Sequence, residues 1–188
     1  MKIDTRELAP SLWKDVENLF GANGACGGCW CMYWRVQKGQ RWEETKGSAA
    51  KPSFKKGILD RSIRGVVAYA DSQPVGWCTF GPRIEFARLD RAPSFKCADA
   101  NDVWSIPCFF VKRGFRGIGV GKSLLAAALR AMKEQGCKAA EGYPSKPGKD
   151  GQYVAAFSWT GTQSLFSKAG FRVVGNKDGG KQRVRLYF

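Results

Sequence analysis

Apolar and polar positions change their period several times along this chain, and each change marks an element. Leu8, Leu12, Val16, Leu19 and Phe20 recur at helical spacing, with Pro10 in an early helical position where a missing N–H is tolerated. Gly21 to Gly28 breaks that helix. The aromatic stretch Trp30–Val36 reads as a short strand or as a loop covering a substrate. Lys38–Lys56 is polar and basic, with helical turns expected around Trp42–Thr45 and again around Phe54–Ile63. Two apolar runs, Gly65–Ala70 and Val75–Phe80, flank Asp71-Ser72-Gln73-Pro74, which is a hairpin signal. Gly81-Pro82 stops the second run. Arg83–Leu89 predicts a short helix, and Arg91–Asp102 a loop carrying Pro93 and Asp99.

The second half is more regular. Val103–Val111 is a long apolar strand in which Pro107 removes one ladder bond, so a bulge is expected beside it. Gly119–Gln135 places Leu124, Leu125, Ala128, Leu129 and Met132 on one helical face, and Gly136 ends it. Cys137–Tyr143 is a further strand, and Pro144–Gly151 a loop. Gly161–Ala169 is a short helix stopped by Gly170, and Phe171–Val174 with Arg183–Phe188 forms a closing hairpin across Gly175–Gly180. The order strand–helix–hairpin–strand–helix–strand–helix–hairpin predicts an α/β sandwich around a mixed central sheet.

Composition narrows the class. The chain has 188 residues, of which 44% are hydrophobic, enough for one domain with a sizeable core. No apolar run approaches the ~20 residues needed to span a bilayer, and the N-terminus lacks the apolar centre of a signal peptide, so no membrane association and a cytoplasmic location are expected. Seven cysteines then read as reduced thiols. Cys26-Gly-Gly-Cys29-Trp-Cys31 has zinc-knuckle spacing, but a closed site needs a fourth ligand, and the chain has neither histidine nor a second C-x-x-C. A loop with buried thiols is the preferred reading, with no metal. The formal charge of +15 steers anionic partners. Its lysines and arginines are spread along the chain, with local groups at Lys51–Lys56, Lys112–Arg116 and Lys177–Arg185. Without an aromatic–basic RNA motif or zinc-finger spacing, a nucleic-acid-binding module remains a rival reading only.

The candidate chemistry lies between Phe109 and Leu125, where an apolar run enters a glycine-rich basic loop and continues into the long helix. Amides at a helix start have no intrahelical partner and suit an anionic phosphate, and glycines let a diphosphate approach them. A Walker A loop would need its first glycine at Arg116, and a dinucleotide G-x-G-x-x-G would need glycine at Lys122 or Leu124. Both fail. The pattern Arg/Gln-x-x-Gly-x-Gly/Ala is met by Arg116, Gly119 and Gly121.

That loop resembles the acetyl-CoA loop of the GCN5-related N-acetyltransferases (GNAT), and the order of elements is similar from Val66 to Phe188. Phe109-Phe110-Val111 resembles the end of the family's fourth strand, whose backbone pairs with the pantetheine arm. Pro107 resembles the bulge where strands 4 and 5 part to admit the thioester. Leu165-Phe166-Ser167-Lys168-Ala169-Gly170-Phe171 resembles the family's L-Y-x-K-x-G-F. The resemblance implies a GNAT-like α/β sandwich with strands 4 and 5 splayed. It implies one acetyltransferase-like domain over residues 1–188, with 1–65 as the acceptor-binding part and 66–188 as the acetyl-CoA-binding core. Phe109, Phe110, Val111, Arg116, Gly117, Ile118, Gly119, Val120, Gly121, Lys122 and Ser123 are the expected acetyl-CoA contacts. The family's tyrosine acid falls on Phe166, which has no proton to donate, and its asparagine falls on Trp159.

Acetyl transfer needs an unprotonated amine near the thioester and donors at the oxyanion; by resemblance the amide near Phe110 is such a donor. Glu141, on a strand facing Phe109–Val111, is the first candidate base, ahead of Asp102 and Glu85. Tyr143 is a candidate acid beside Ser158, Thr160 and Thr162. Trp30, Tyr33 and Trp34 are expected to wall the acceptor pocket, while Arg83 and Arg35 suit an acidic group on the acceptor. Cys108 reads as a small buried hydrophobe rather than an acyl carrier. The expected activity is acetyl-CoA-dependent N-acetyl transfer to a primary amine. A lapsed acyl-CoA-binding protein is the alternative that Phe166 brings in.

Overall fold

A computed structural model gives the fold and describes residues 1–145, 147, 155–175 and 182–188. Seven strands form one sheet in the order β1-β2-β3-β4-β5-β7-β6. They are β1 (Ile3–Glu7), β2 (Arg64–Ala70), β3 (Gln73–Pro82), β4 (Trp104–Val111), β5 (Ala139–Gly142), β6 (Arg172–Val174) and β7 (Arg183–Tyr187). Every neighbouring pair is antiparallel except β4 and β5, which run parallel. The helices are α1 (Trp13–Phe20), α2 (Trp42–Thr45), α3 (Ala50–Leu59), α4 (Val120–Glu134) and α5 (Gln163–Lys168).

Side chains alternate across a strand, so each face of the sheet receives every second residue. On one face Val66, Ala68, Cys78, Phe80, Ile106 and Phe109 meet α4, whose Val120, Leu124, Leu125, Ala128 and Met132 form the apolar stripe the sequence predicts. On the other face Val67, Tyr69, Trp77, Cys108 and Phe110 pack under α1, α3 and the aromatic loop residues. That second layer is built mainly from rings, including Phe20 stacked on Phe54 with centroids 5.5 Å apart. The site lies along this sheet because its middle contains the single parallel pair.

Several boundaries differ from the sequence reading. Helix α3 starts at Ala50 rather than near Phe54, because Pro52 falls in the first turn, where its missing N–H leaves no helical bond unmade. Arg83–Leu89 is not one helix but two 3₁₀ turns, Arg83–Glu85 and Ala87–Arg91. The opening strand of the expected order is Ile3–Glu7, an edge strand paired to β2. Most of the expected Pro144–Gly151 loop and the turn at Gly175–Gly180 lie outside the described residues.

Candidate active site

Strands β4 and β5 pair over only three positions, Trp104 with Ala140, Ser105 with Glu141 and Ile106 with Gly142. They separate at Pro107. On the β3 side, Thr79 sits opposite Cys108 while Gly81 sits opposite Ser105, so β4 carries one extra residue between them, the expected bulge. The Pro107 carbonyl accepts a hydrogen bond from the indole Nε1–H of Trp34 at 2.9 Å. A buried carbonyl needs a partner, and here a side chain supplies it. Among the described residues no strand pairs the other edge of Cys108–Val111. An open strand edge is a template for strand-like pairing by an extended ligand.

Beyond Val111 the loop turns through Gly114, Gly117 and Gly119 at φ of +91°, +78° and +94°. Left-handed backbone of this kind favours glycine. A Cβ built at Gly117 or Gly119 would meet no atom within 4 Å, so both backbones face open space. Arg116 Nε donates to the Val111 carbonyl at 3.0 Å, tying the loop to the strand it leaves. Helix α4 begins at Val120, and its first bond into the loop is Ser123 N–H to the Gly119 carbonyl at 3.0 Å. The amides of Val120, Gly121 and Lys122 are therefore first-turn donors facing out of a 15-residue helix. Ile118 and Lys122 are exposed, while Phe109 turns to the α4 side and packs on Phe166.

Beside the open edge of β4 is a cavity of about 220 Å³, lined by Phe20, Tyr33, Trp42, Trp77, Phe110 and Trp159 and by Cys29, Cys31 and Cys108. Tyr33 sits at the centre of an aromatic group, 5.0 Å from Trp34, 5.2 Å from Trp42 and 5.3 Å from Trp159 between centroids. The Arg88 guanidinium lies 4.2 Å over the Tyr33 ring. Among the described residues no carboxylate lines this cavity.

Of the residues expected to wall an acceptor pocket, Tyr33 lines this cavity and Trp30, Trp34 and Arg83 do not. Trp30 is core, its ring 5.7 Å from Phe20 and 6.1 Å from Trp13. Trp34 is the buried donor to Pro107. Arg83 is 1% exposed and bonds Asp90 and the Phe95 carbonyl, so it is turned inward and away from any acceptor. Arg35 bonds Glu85 at 3.1 Å and stacks on Phe86.

The expected acid–base pair needs the larger correction. Glu141 is fully buried, and its carboxylate is held by Arg185 at 2.8 Å, Arg183 at 3.1 Å and Arg83 at 3.6 Å. Tyr143 OH donates to it at 2.9 Å and shares a 2.7 Å bond with Ser105. Burial pushes the Tyr143 hydroxyl well above the usual phenol range. Neither residue lines the cavity, and Glu141 pairs in register with Ser105 rather than facing Phe109–Val111. A carboxylate fixed by three guanidiniums is a structural anion. Glu85 is likewise occupied by Arg35 and Arg64, Asp102 is exposed on a turn, Thr160 is fully buried, and Thr162 caps α5.

All seven cysteines are free thiols. Among the described residues no group of three or more Cys, Asp or Glu is placed to hold a metal. No described helix is long and apolar enough to cross a membrane. Phe20, Trp42, Trp77 and Trp159 are cavity residues that the sequence reading did not place there.

The family model for the GNAT acetyltransferases matches residues 30–144, more than half of the chain. Solved structures share the fold at low identity. The PaiA N-acetyltransferase of Thermoplasma acidophilum, in complex with coenzyme A, is 18% identical with a TM-score of 0.57, covering 100% of both chains. The ribosomal-protein-alanine N-acetyltransferase of Brucella melitensis is 15% identical with a TM-score of 0.57, over 98% of this chain and 99% of its own. YncA of Salmonella typhimurium, with acetyl-CoA, is 13% identical with a TM-score of 0.56, over 98% and 93%. Comparison with curated protein sequences gives no match. The seven-stranded mixed sheet, parted between β4 and β5, is the GNAT α/β fold. This chain belongs to the GNAT acetyltransferase family.

Proposed function

We propose that the chain is an N-acetyltransferase that takes acetyl-CoA as co-substrate and acetylates a primary amine. The observation that carries this reading is the parting of β4 from β5 at Pro107, directly upstream of an open glycine loop and a helix N-terminus. The first-turn amides of α4 and Arg116 would hold the diphosphate, and the free edge of Phe109–Val111 would pair with the pantetheine arm. The thioester would then meet the cavity beside Cys108. An amide on the β4 edge near Phe110 would donate to the developing oxyanion. Residues 1–65 supply Tyr33 and Trp42, which supports their role as the acceptor-binding part of one domain. The ring-lined cavity favours an amine carried on an apolar or aromatic body over an acidic one. Seven unpaired thiols suit a reducing compartment, which supports a cytoplasmic location.

Calorimetry with acetyl-CoA tests the reading, and failure to bind at millimolar ligand would refute it. Arg116→Ala is expected to weaken binding by about 1.5–3 kcal/mol, the range of a hydrogen bond to a charged group. A free-thiol assay over a panel of aromatic and aliphatic amines then separates an active enzyme from a lapsed CoA-binding protein. Phe166 motivates that second reading. Its ring is fully buried between Phe109 and Phe171, and a Cβ on Gly142 would lie 2.3 Å from it. A hydroxyl on this ring would have to enter packing that leaves it no exposed surface. Phe166→Tyr is therefore expected to destabilise by about 1–3 kcal/mol through overpacking, with no rise in thiol release.

A further inference from the structure

Three arginines stand around the Tyr33 wall of the ring-lined cavity, with little negative charge to answer them. The turn Tyr33–Arg35 and the segment Phe86–Arg91 exchange cations: Arg35 lies 4.5 Å over the Phe86 ring, and Arg88 lies 4.2 Å over the Tyr33 ring. Arg91 Nη2 donates to the carbonyls of Gln37 and Gln40 at 2.6 and 3.3 Å. Arg88 and Arg91 therefore clasp the stretch between Tyr33 and Trp42, both of which line the cavity. Among the described residues neither arginine pairs with a carboxylate, and Arg35 shares Glu85 with Arg64. Arg88 Nη1, Arg35 Nε and Arg35 Nη2 are buried without a hydrogen-bond partner among those residues. Charge held away from water keeps its field, because ions in solvent screen it least.

An amine that arrives as ammonium needs a carboxylate to pair with, a base to take its proton, or a free ring face. The chain has no histidine. The acids on the elements around the cavity are engaged elsewhere. On α1, Asp15 accepts the Tyr69 hydroxyl at 2.6 Å, and Glu17 holds Lys51 and Lys14, whose bonds lower it to about 2. On α2, Glu43 pairs with Lys46 and Glu44 with Arg41. Glu85 lies between Arg35 and Arg64, and Asp90 is bonded to Arg83. Of the lining cysteines, Cys29 is raised to about 12 by burial, Cys31 accepts the Trp77 indole N–H at 3.2 Å, and Cys108 donates to the Phe109 carbonyl at 3.9 Å. One face of Tyr33 is already covered by a cation, Arg88.

We propose that Arg88 makes this cavity select acceptors whose amine is already neutral at pH 7, weakly basic arylamines rather than alkylamines that arrive as ammonium. The proposal deepens the acetyl-CoA reading above and rests on it. Like charge and removal from water both disfavour an ammonium, and here they act together. An arylamine escapes both penalties, and its ring suits the Phe20, Trp42, Trp77 and Phe110 lining. Its neutral nitrogen bonds to the acetyl carbonyl carbon, the bond from that carbon to the CoA sulfur breaks, and one nitrogen proton goes to that sulfur. The transfer draws on no other reactant. Arg88 is not among the residues that line the cavity; it determines specificity through its charge.

The test compares 4-methylaniline with benzylamine, amines of equal size of which only the second is charged at pH 7. With the full chain and acetyl-CoA, thiol release from 4-methylaniline is expected to stay level between about pH 6 and 8, while benzylamine gains about tenfold per pH unit. Binding is then read by ligand-observed NMR on the CoA-loaded chain, with benzyl alcohol as the neutral probe beside benzylamine. The native chain is expected to prefer the alcohol by about tenfold. Arg88→Met is expected to erase that preference by admitting the ammonium about tenfold better, with the alcohol unchanged. Arg88→Lys, which keeps the charge, is expected to retain it. The pH profiles require no variant. The selectivity is overturned if benzylamine reacts at a level rate across that range, if neither probe binds, if the native chain takes both equally, or if Arg88→Met still excludes the ammonium. When calorimetry shows acetyl-CoA binding in those cases, the acetyltransferase reading stands. If acetyl-CoA does not bind, both are overturned.

Discussion

Glu141→Gln is expected to cost about 3–5 kcal/mol of folding stability, the penalty for removing one partner of a buried ion pair. The side chain has no exposed surface, and Arg83 and Arg185 beside it are 1% and 6% exposed. Glutamine keeps the shape but leaves the guanidiniums of Arg83, Arg183 and Arg185 with only two carboxylates among the described residues, Asp90 and Asp99. Those two are surface groups, 58% and 46% exposed, and solvent screens what they offer. Two buried nitrogens, Arg83 Nε and Arg183 Nε, already lack a hydrogen-bond partner among the described residues, so the cluster has little capacity to absorb a further loss. In urea the midpoint should fall with an unchanged slope. A catalytic base would behave in the opposite way, losing turnover while its midpoint stayed put. Acid has a smaller effect through Asp99, whose bond to Arg185 lowers its pKa. That contribution is present above the ordinary aspartate value of about 4 and is lost as pH falls below it.

The difference between those outcomes also separates what the sequence carries from what it does not. Helix α4 and the loop before it are legible because their signals are local: an apolar stripe at helical period, and glycines spaced so that amides face outward. The bulge at Pro107 is local too, since proline lacks the N–H that a ladder requires. The role of Glu141 is not local. Its partners come from β7 and from the turn after β3, with Arg183 and Arg185 lying 42 and 44 residues away in sequence, and nothing near Glu141 announces three cations. The packing of Cys31 is hidden for a related reason. Its spacing to Cys26 and Cys29 suggests a metal knuckle, whereas its actual neighbours, Trp77 and Cys108, arrive from β3 and β4. Only the left-handed turn at Trp30, fixed by rings from α1 and α3, brings these groups together.

Trp34 is where fold and site meet, and its replacements should separate the two. Trp34→Ala removes a ring packed against Tyr33, Trp159, Phe95 and Tyr143, and is expected to cost about 3–5 kcal/mol as a large-to-small core change. Trp34→Phe is the sharper probe. It keeps most of the packing but deletes the 2.9 Å bond to the Pro107 carbonyl. That carbonyl, buried and unpaired, would cost about 1–3 kcal/mol. Its nearest remedy is to turn back toward β5 and extend the parallel pairing past Ile106, which narrows the gap that the indole holds open. Acetyl-CoA affinity should then fall by about tenfold, a change of ~1.4 kcal/mol, with the chain still folded in urea titrations. Full affinity in Trp34→Phe alongside the predicted stability loss would show that the strands part without help from the indole, and that the bulge at Pro107 is sufficient by itself.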